Sequence, residues 1–136
     1  MRTRAVLTLS VLSGRYAICR LDPQAPVPEW ATSPPFFSVS RTSGELSIVC
    51  PEARVPEDVR CEKGWRVVEL EGPFDLAASG ILSSVLFPLA EARVSSLAVS
   101  THDTDYVLVR EAQLSHAVSA LEAWGHRVRM EGCEAS

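Results

Sequence analysis

From residue 65 onward the apolar side chains change their spacing in an order that few folds can satisfy. WRVVEL (65 to 70) reads as a strand, and Ile81 to Glu91 sets Leu82, Val85, Leu86 and Leu89 at the i, i+3, i+4, i+7 spacing of a helix. Val94 to Ser100 and Tyr106 to Arg110 read as strands on either side of THDTD. Glu111 to Trp124 is a second helix with Leu114, Ala117, Val118, Leu121 and Trp124 on one face. Gly125 ends it, and His126 to Met130 alternates as a last strand. The order is β-α-β-β-α-β, which predicts an α+β unit: a four-stranded sheet carrying both helices on one face, the split βαβ of ferredoxin-like folds. Pro88 lies inside the first helix and predicts a bend there.

The residues before this unit have a different character. Ala5 to Leu12 alternates as a strand, Tyr16 to Leu21 follows after a Ser13-Gly14 turn, and Phe36 to Ser40 and Glu45 to Cys50 flank the turn RTSG. Between the second and third strands, the prolines of DPQAPVPEWATSPP leave room for a single turn near Pro28 to Ala31, with Trp30 against the sheet. The polar, aperiodic stretch PEARVPEDVRCEKG (51 to 64) marks a seam. Two domains are expected, 1–62 and 63–136, the first a strand-rich, degenerate copy of the second.

Charge and composition remove several classes of function. A formal charge of -4, with Lys and Arg scattered singly, offers no basic stripe for a phosphate backbone, so nucleic acid is not an expected partner. No apolar stretch reaches the roughly 18 to 20 residues that span a bilayer. MRTRAVLTLSVLSG has the arginines of a signal peptide, but its alternation is strand-like and no A-x-A cleavage site follows, which predicts a cytoplasmic protein with no membrane contact. Cys19, Cys50, Cys61 and Cys133 lack the C-x-x-C spacing of a zinc site and read as free thiols. There is no G-x-S-x-G, no H-E-x-x-H and no glycine-rich phosphate loop, so neither an enzyme nor a cofactor is expected.

Two segments, PFFSVSRTSGELSIVCPE (35 to 52) and GPFDLAASGILSSVLFPLAEARVSSLAVSTHDTDYVLVRE (72 to 111), resemble the small tandem ACT-domain proteins of bacteria. They are also similar to the amino-acid-binding half of the cytosolic arginine sensors of animal cells. The resemblance implies two ACT-like βαββαβ modules that bind an amino acid at the loop before a module's first helix and act as a regulatory or sensor protein, commonly as a homodimer. In the sensors, the turn corresponding to Ser100, Thr101, His102, Asp103, Thr104 and Asp105 ends in the same aspartate. Rings that would sandwich a long, flat side chain are replaced here by His102 and Thr104, and an acidic residue ahead of the helix glycine is replaced by Ala77 and Ala78. These departures leave the identity of the amino acid open.

The chemistry of the matching residues fits that use. A ligand carboxylate needs donors, and a helix N-terminus supplies unpaired amides and partial positive charge. Gly80 would admit a ligand to the amides of Ile81 and Leu82, with Ser79 as a hydroxyl donor. Thr101, His102 and Thr104 would line the facing turn, and Asp105 would be the countercharge for a ligand cation. Phe37, Ser38 and Val39 would form another wall. Plainer readings stand beside each of these: THDTD as a self-bonded hairpin turn, Ser79-Gly80 as a capped helix start, the strand beside RTSG as a solvated edge, and His116 and His126 as ordinary helix and strand residues. A metal at THDTD is not expected, because the three acidic or imidazole groups alternate around the turn. The alternative function is a protein-protein interaction module with no small-molecule ligand.

Overall fold

The computed structural model describes residues 6–75 and 77–131. The chain divides into two compact units, one built from Gly14–Trp65 and the other from the residues up to Ser13 together with those from Arg66 onward. Cys133 lies outside the described residues.

The larger unit contains β1 (Thr8–Val11), the second half of β5 (Cys61–Leu70), α1 (Ser83–Glu91), β6 (Ser96–Ser100), β7 (Asp105–Arg110), α2 (Leu114–Trp124) and β8 (Arg127–Met130). Its strands lie in the order β6-β7-β5-β1-β8. From β5 to β8 the element order is the expected β-α-β-β-α-β, but the sheet gains a strand. β1 enters between β5 and β8, antiparallel to the first through Leu9↔Leu70 and parallel to the second through Leu9↔Val128. The cause is visible in its alternation: Leu9 and Val11 are fully buried in the core that faces the helices, and only a central strand can bury them so. Val68, Leu70, Val107 and Val109 from the sheet meet Val85 and Leu89 of α1 and Leu114, Ala117 and Leu121 of α2 in that core. None of the described helices is long and apolar enough to cross a membrane.

The helices begin later than their periodicity suggests. α1 starts at Ser83, with Leu82 in the cap position and no side-chain cap, so Ser79 does not serve as the capping serine. A 3-10 turn, Glu111–Gln113, precedes α2, and Gly125 closes that helix in the left-handed region at φ 119°. Pro88 has no amide proton, so the carbonyl of Ser84 one turn earlier loses its intrahelical donor. His126 supplies the replacement. Its Nε2 lies 2.8 Å from the Ser84 carbonyl, while its Nδ1 accepts the Leu7 amide proton at 3.0 Å. That pairing fixes the tautomer, with the proton on Nε2. His126 is 4% exposed, a buried strut between α1 and β1 rather than an ordinary strand residue.

The smaller unit contains β2 (Tyr16–Leu21), a 3-10 turn at Glu29–Thr32, β3 (Ser38–Arg41), β4 (Leu46–Pro51), a 3-10 turn at Glu52–Arg54 and the first half of β5. Strands run in the order β3-β4-β2-β5. β5 reaches back to Cys61, into the stretch that reads as a seam, because Glu62 and Cys61 pair with Ile18 and Cys19 of β2. Ala17, Cys19, Leu46, Ile48 and Cys50 form one apolar face, which Trp30 covers from the proline-rich segment.

Candidate functional site

Two loops of the larger unit enclose a cavity of about 200 Å³. One runs from the end of β5 to the start of α1, and the other is the turn between β6 and β7. Each is shaped by its own short-range hydrogen bonds. In the first, the Asp75 carboxylate accepts the Ala77 amide proton at 2.9 Å and the Asp75 carbonyl accepts that of Ala78 at 2.8 Å, the Asx geometry that aspartate favours in turns. In the second, the Thr101 amide donates to the Thr104 carbonyl at 2.8 Å and the Thr104 amide to the Thr101 hydroxyl at 3.3 Å, while the Ser100 hydroxyl donates to the Asp105 carboxylate.

The loops are tied to one another and to the sheet. Phe74 donates its amide proton to the Asp103 carbonyl at 2.8 Å, and the Thr104 hydroxyl donates to the Leu70 carbonyl at the end of β5. Gly72 lets the two backbones approach: a Cβ there would sit 3.1 Å from the Asp103 carbonyl oxygen. Phe74, Ile81 and Leu82 anchor the first loop against the helix-facing core.

Phe74, Asp75, Ala78 and Ile81 form one wall of the cavity, and Ser100 to Asp105 form the other. It therefore brings together five of the residues singled out in the sequence: Ile81, Thr101, His102, Thr104 and Asp105. Ser79 and Gly80 lie exposed in the approach to α1, with Gly80 at φ 83°, and Leu82 packs toward the core, so none of the three lines it. Phe37, Ser38 and Val39 belong to the smaller unit, where β3 pairs Ser38 with Val49 and Val39 with Ile48, and they line no part of it. Phe74 and Asp75 escape the sequence reading, and Ala78, Ser100 and Asp103 enter it through the comparison with the sensors, without a place in the ligand site. A signal for the first two was present: an aromatic and an Asx-forming aspartate directly after Gly-Pro, in the loop already suspected of meeting the ligand.

Among the described residues the lining is acidic, with Asp75, Asp103 and Asp105 and no Lys or Arg. His102 Nδ1 lies 2.9 Å from the Asp103 carboxylate, but both side chains are solvated, so the contact contributes little rigidity. On its other side the same turn borders a second hollow of about 260 Å³, where Glu69 and Tyr106 join Thr101, Asp103 and Thr104. Burial first, and then the charges of Glu131 and Glu71, push the Glu69 carboxyl above the usual carboxylate range, opposed by a hydrogen bond from Tyr106. Burial, followed by the charge of Glu69, raises the Tyr106 phenol.

Comparison with known proteins agrees with this architecture. An ACT-domain family profile matches residues 60–123, and a separate profile, described as an N-terminal domain, matches residues 14–58. The chain is 32% identical over 100 residues to the cytosolic arginine sensor for mTORC1 subunit 1 of Rattus norvegicus, and 34% identical over 97 residues to that of Bos taurus. These alignments cover 68% and 63% of this chain but 30% of each sensor. Among solved structures, an Agrobacterium tumefaciens protein is 37% identical at a TM-score of 0.90, with 97% of this chain and 98% of that one covered. The regulatory subunit of aspartate kinase from Thermus thermophilus shares the fold at a TM-score of 0.62 and 6% identity, covering 89% of this chain and 99% of its own. A βαββαβ unit with its helices on one face, matched by the family profile and by curated and structural relatives, places this chain among the small tandem ACT-domain proteins.

Proposed function

We propose that this protein is an amino-acid-responsive regulatory module whose ligand occupies the cavity between the Phe74–Ile81 loop and the Ser100–Asp105 turn. The observation that carries the reading is a self-bonded turn, held to the facing loop through Phe74 and Asp103, that presents Asp103 and Asp105, with Asp75 of the facing loop, to a space of about 200 Å³ with no cationic side chain among its described lining residues. At about 30 Å³ per water that space equals roughly six or seven waters, comparable to the heavy atoms of a small amino acid. The ligand ammonium lies against Asp105, assisted by Asp75. Its carboxylate turns toward the amides of Ile81 and Leu82, where α1 begins without a side-chain cap. Ser79, Gly80, Thr101, His102 and Thr104 surround the entrance. The likeness to the arginine sensors supports the ligand class; His102 and Thr104, in place of aromatic residues, favour a ligand shorter than arginine.

Binding shifts an equilibrium only through differential affinity, so a ligand that joins two loops favours the state in which both are in place. Association of two copies of the chain transmits that state to a downstream partner. One observation favours the other reading, an interaction module without a ligand: Phe87 is 51% exposed and packs against Trp124, ring centroids 5.3 Å apart and planes tilted by 57°, in a groove between α1 and α2.

Thermal-shift measurements against the twenty amino acids separate the two. A ligand at about 100 times its Kd adds about 2.7 kcal/mol, and the rise in melting temperature is lost in Asp105→Ala. No shift at millimolar concentration with any amino acid sinks the ligand reading, and a shift that survives Asp105→Ala sinks the placement of the ammonium.

A further inference from the structure

Three cysteines that lie far apart in the sequence meet on one face of the smaller unit's sheet. Cys19 of β2 stands directly opposite Cys61 of β5, while Cys50 of β4 lies two residues from Ile48, the partner of Cys19 on the other side. All three belong to or pack against the same apolar cluster. Their accessibility differs: Cys19 and Cys50 are buried, whereas Cys61 is partly exposed.

The ladder decides which pair can be joined. Arg20 donates its amide proton to the Arg60 carbonyl at 3.0 Å, so residues 20 and 60 form a hydrogen-bonded pair and Cys19 and Cys61 the adjacent non-hydrogen-bonded one. Across such a pair the Cα atoms are about 4.5 Å apart, inside the roughly 4.4 to 6.8 Å that a disulfide spans. Cys19 and Cys50 are diagonal neighbours, at about 7 to 8 Å, and cannot be joined without moving the backbone.

We propose that Cys61 is a peroxide-modifiable thiol and that Cys19 resolves it into a reversible cross-strand disulfide. Cys61 attacks the peroxide O–O bond: sulfur is oxidised to the sulfenic acid, the peroxide is reduced, and one water leaves. The Cys19 sulfur then displaces the sulfenic hydroxyl, which departs as a second water with the Cys19 proton. The product is Cys19–Cys61, and an external dithiol reverses it by exchange. Cys50 is a diagonal neighbour of Cys19 and takes no part in the bond. Burial, and then the charge of Cys19, hold the Cys61 thiol above the ordinary thiol range, with Glu52 adding to this and Lys63 opposing it. Oxidation accordingly accelerates as the solution becomes more alkaline, and it slows in Lys63→Gln.

The test treats the full chain with hydrogen peroxide, blocks remaining thiols under denaturing conditions, and maps the peptides by mass spectrometry. The expected product has lost two hydrogens, links the Cys19 peptide to the Cys61 peptide, and returns to the starting mass with dithiothreitol. Cys50→Ala forms the same link. Cys19→Ala stops at a Cys61 sulfenic acid that dimedone traps, a readout that survives even if Cys61→Ser folds poorly. A link from Cys61 to Cys133, a link between Cys19 and Cys50, or a Cys61 that stays unmodified while the chain is oxidised elsewhere would overturn the proposal.

Discussion

Glu69 shows how a single side chain can set the pH response of the fold. Its carboxyl titrates above the usual range because burial and the neighbouring Glu131 and Glu71 disfavour the charged form. In the interval between the ordinary value and the raised one, the folded protein holds a proton that the unfolded chain has released. Stability therefore falls as pH rises through that interval. Urea unfolding followed across the acidic range should show this decline in the wild type and a flatter profile in Glu69→Gln, with the variant the more stable at neutral pH. A profile unchanged by the substitution would assign the slope to other carboxylates. Nothing in WRVVEL marks Glu69 as special. Alternation puts it opposite the apolar face, but its acidic neighbours come from Glu71, nearby on the same strand run, and Glu131, beyond the last strand.

At the scale of elements, α1 carries a defect and its repair. Pro88 leaves the Ser84 carbonyl without a donor, and His126 fills the gap from the far side of α2. His126→Ala should cost about 1 to 3 kcal/mol for each of the two buried groups left without a partner, the Leu7 amide and the Ser84 carbonyl. In a Pro88→Ala background the new amide reaches Ser84, so the cost of losing His126 should shrink. A double-mutant cycle in chemical denaturation reads the difference, and strict additivity would mean that the two residues do not act on the same carbonyl. The proline is evident in the sequence, but the remedy is hidden. His126 is 42 residues from Ser84 and 119 from Leu7, beyond the reach of any periodic pattern. Short-range features were far more legible. β2 spans Tyr16–Leu21 as its alternation indicates, and Gly125 ends α2 as its position requires. The first turn of α1 was not, because Ile81 and Leu82 carry helical spacing yet serve as the approach to the helix.

At the scale of the whole molecule, the order of residues and the order of strands part company. Pattern reading recovered the βαββαβ order and the resemblance that goes with it, while it is the fold that brings Ile81, Thr101, His102, Thr104 and Asp105 to one cavity. It could not see that β1 belongs with the larger unit, because Leu7, Leu9 and Val11 announce a strand without naming its partners. A chain that starts at Gly14 retains every residue of the smaller unit but removes the strand between β5 and β8. Its far-UV circular dichroism should lose the helical signal of α1 and α2, since the core against which they pack no longer closes. A truncated chain with full helical content would show β1 to be dispensable.

The parallel pairing of β1 with β8 also has a consequence in time. On the ribosome β1 emerges before its partner Arg127–Met130, which is made only after every residue between them. Until then Leu9 and Val11 have one side without a strand, and the buried ring that ties Leu7 to Ser84 does not exist. Closure of the larger unit therefore joins residues as far as 119 positions apart, Leu7 and His126. Long sequence separation of this kind slows folding relative to locally connected helical domains and leaves an apolar strand in need of protection during synthesis.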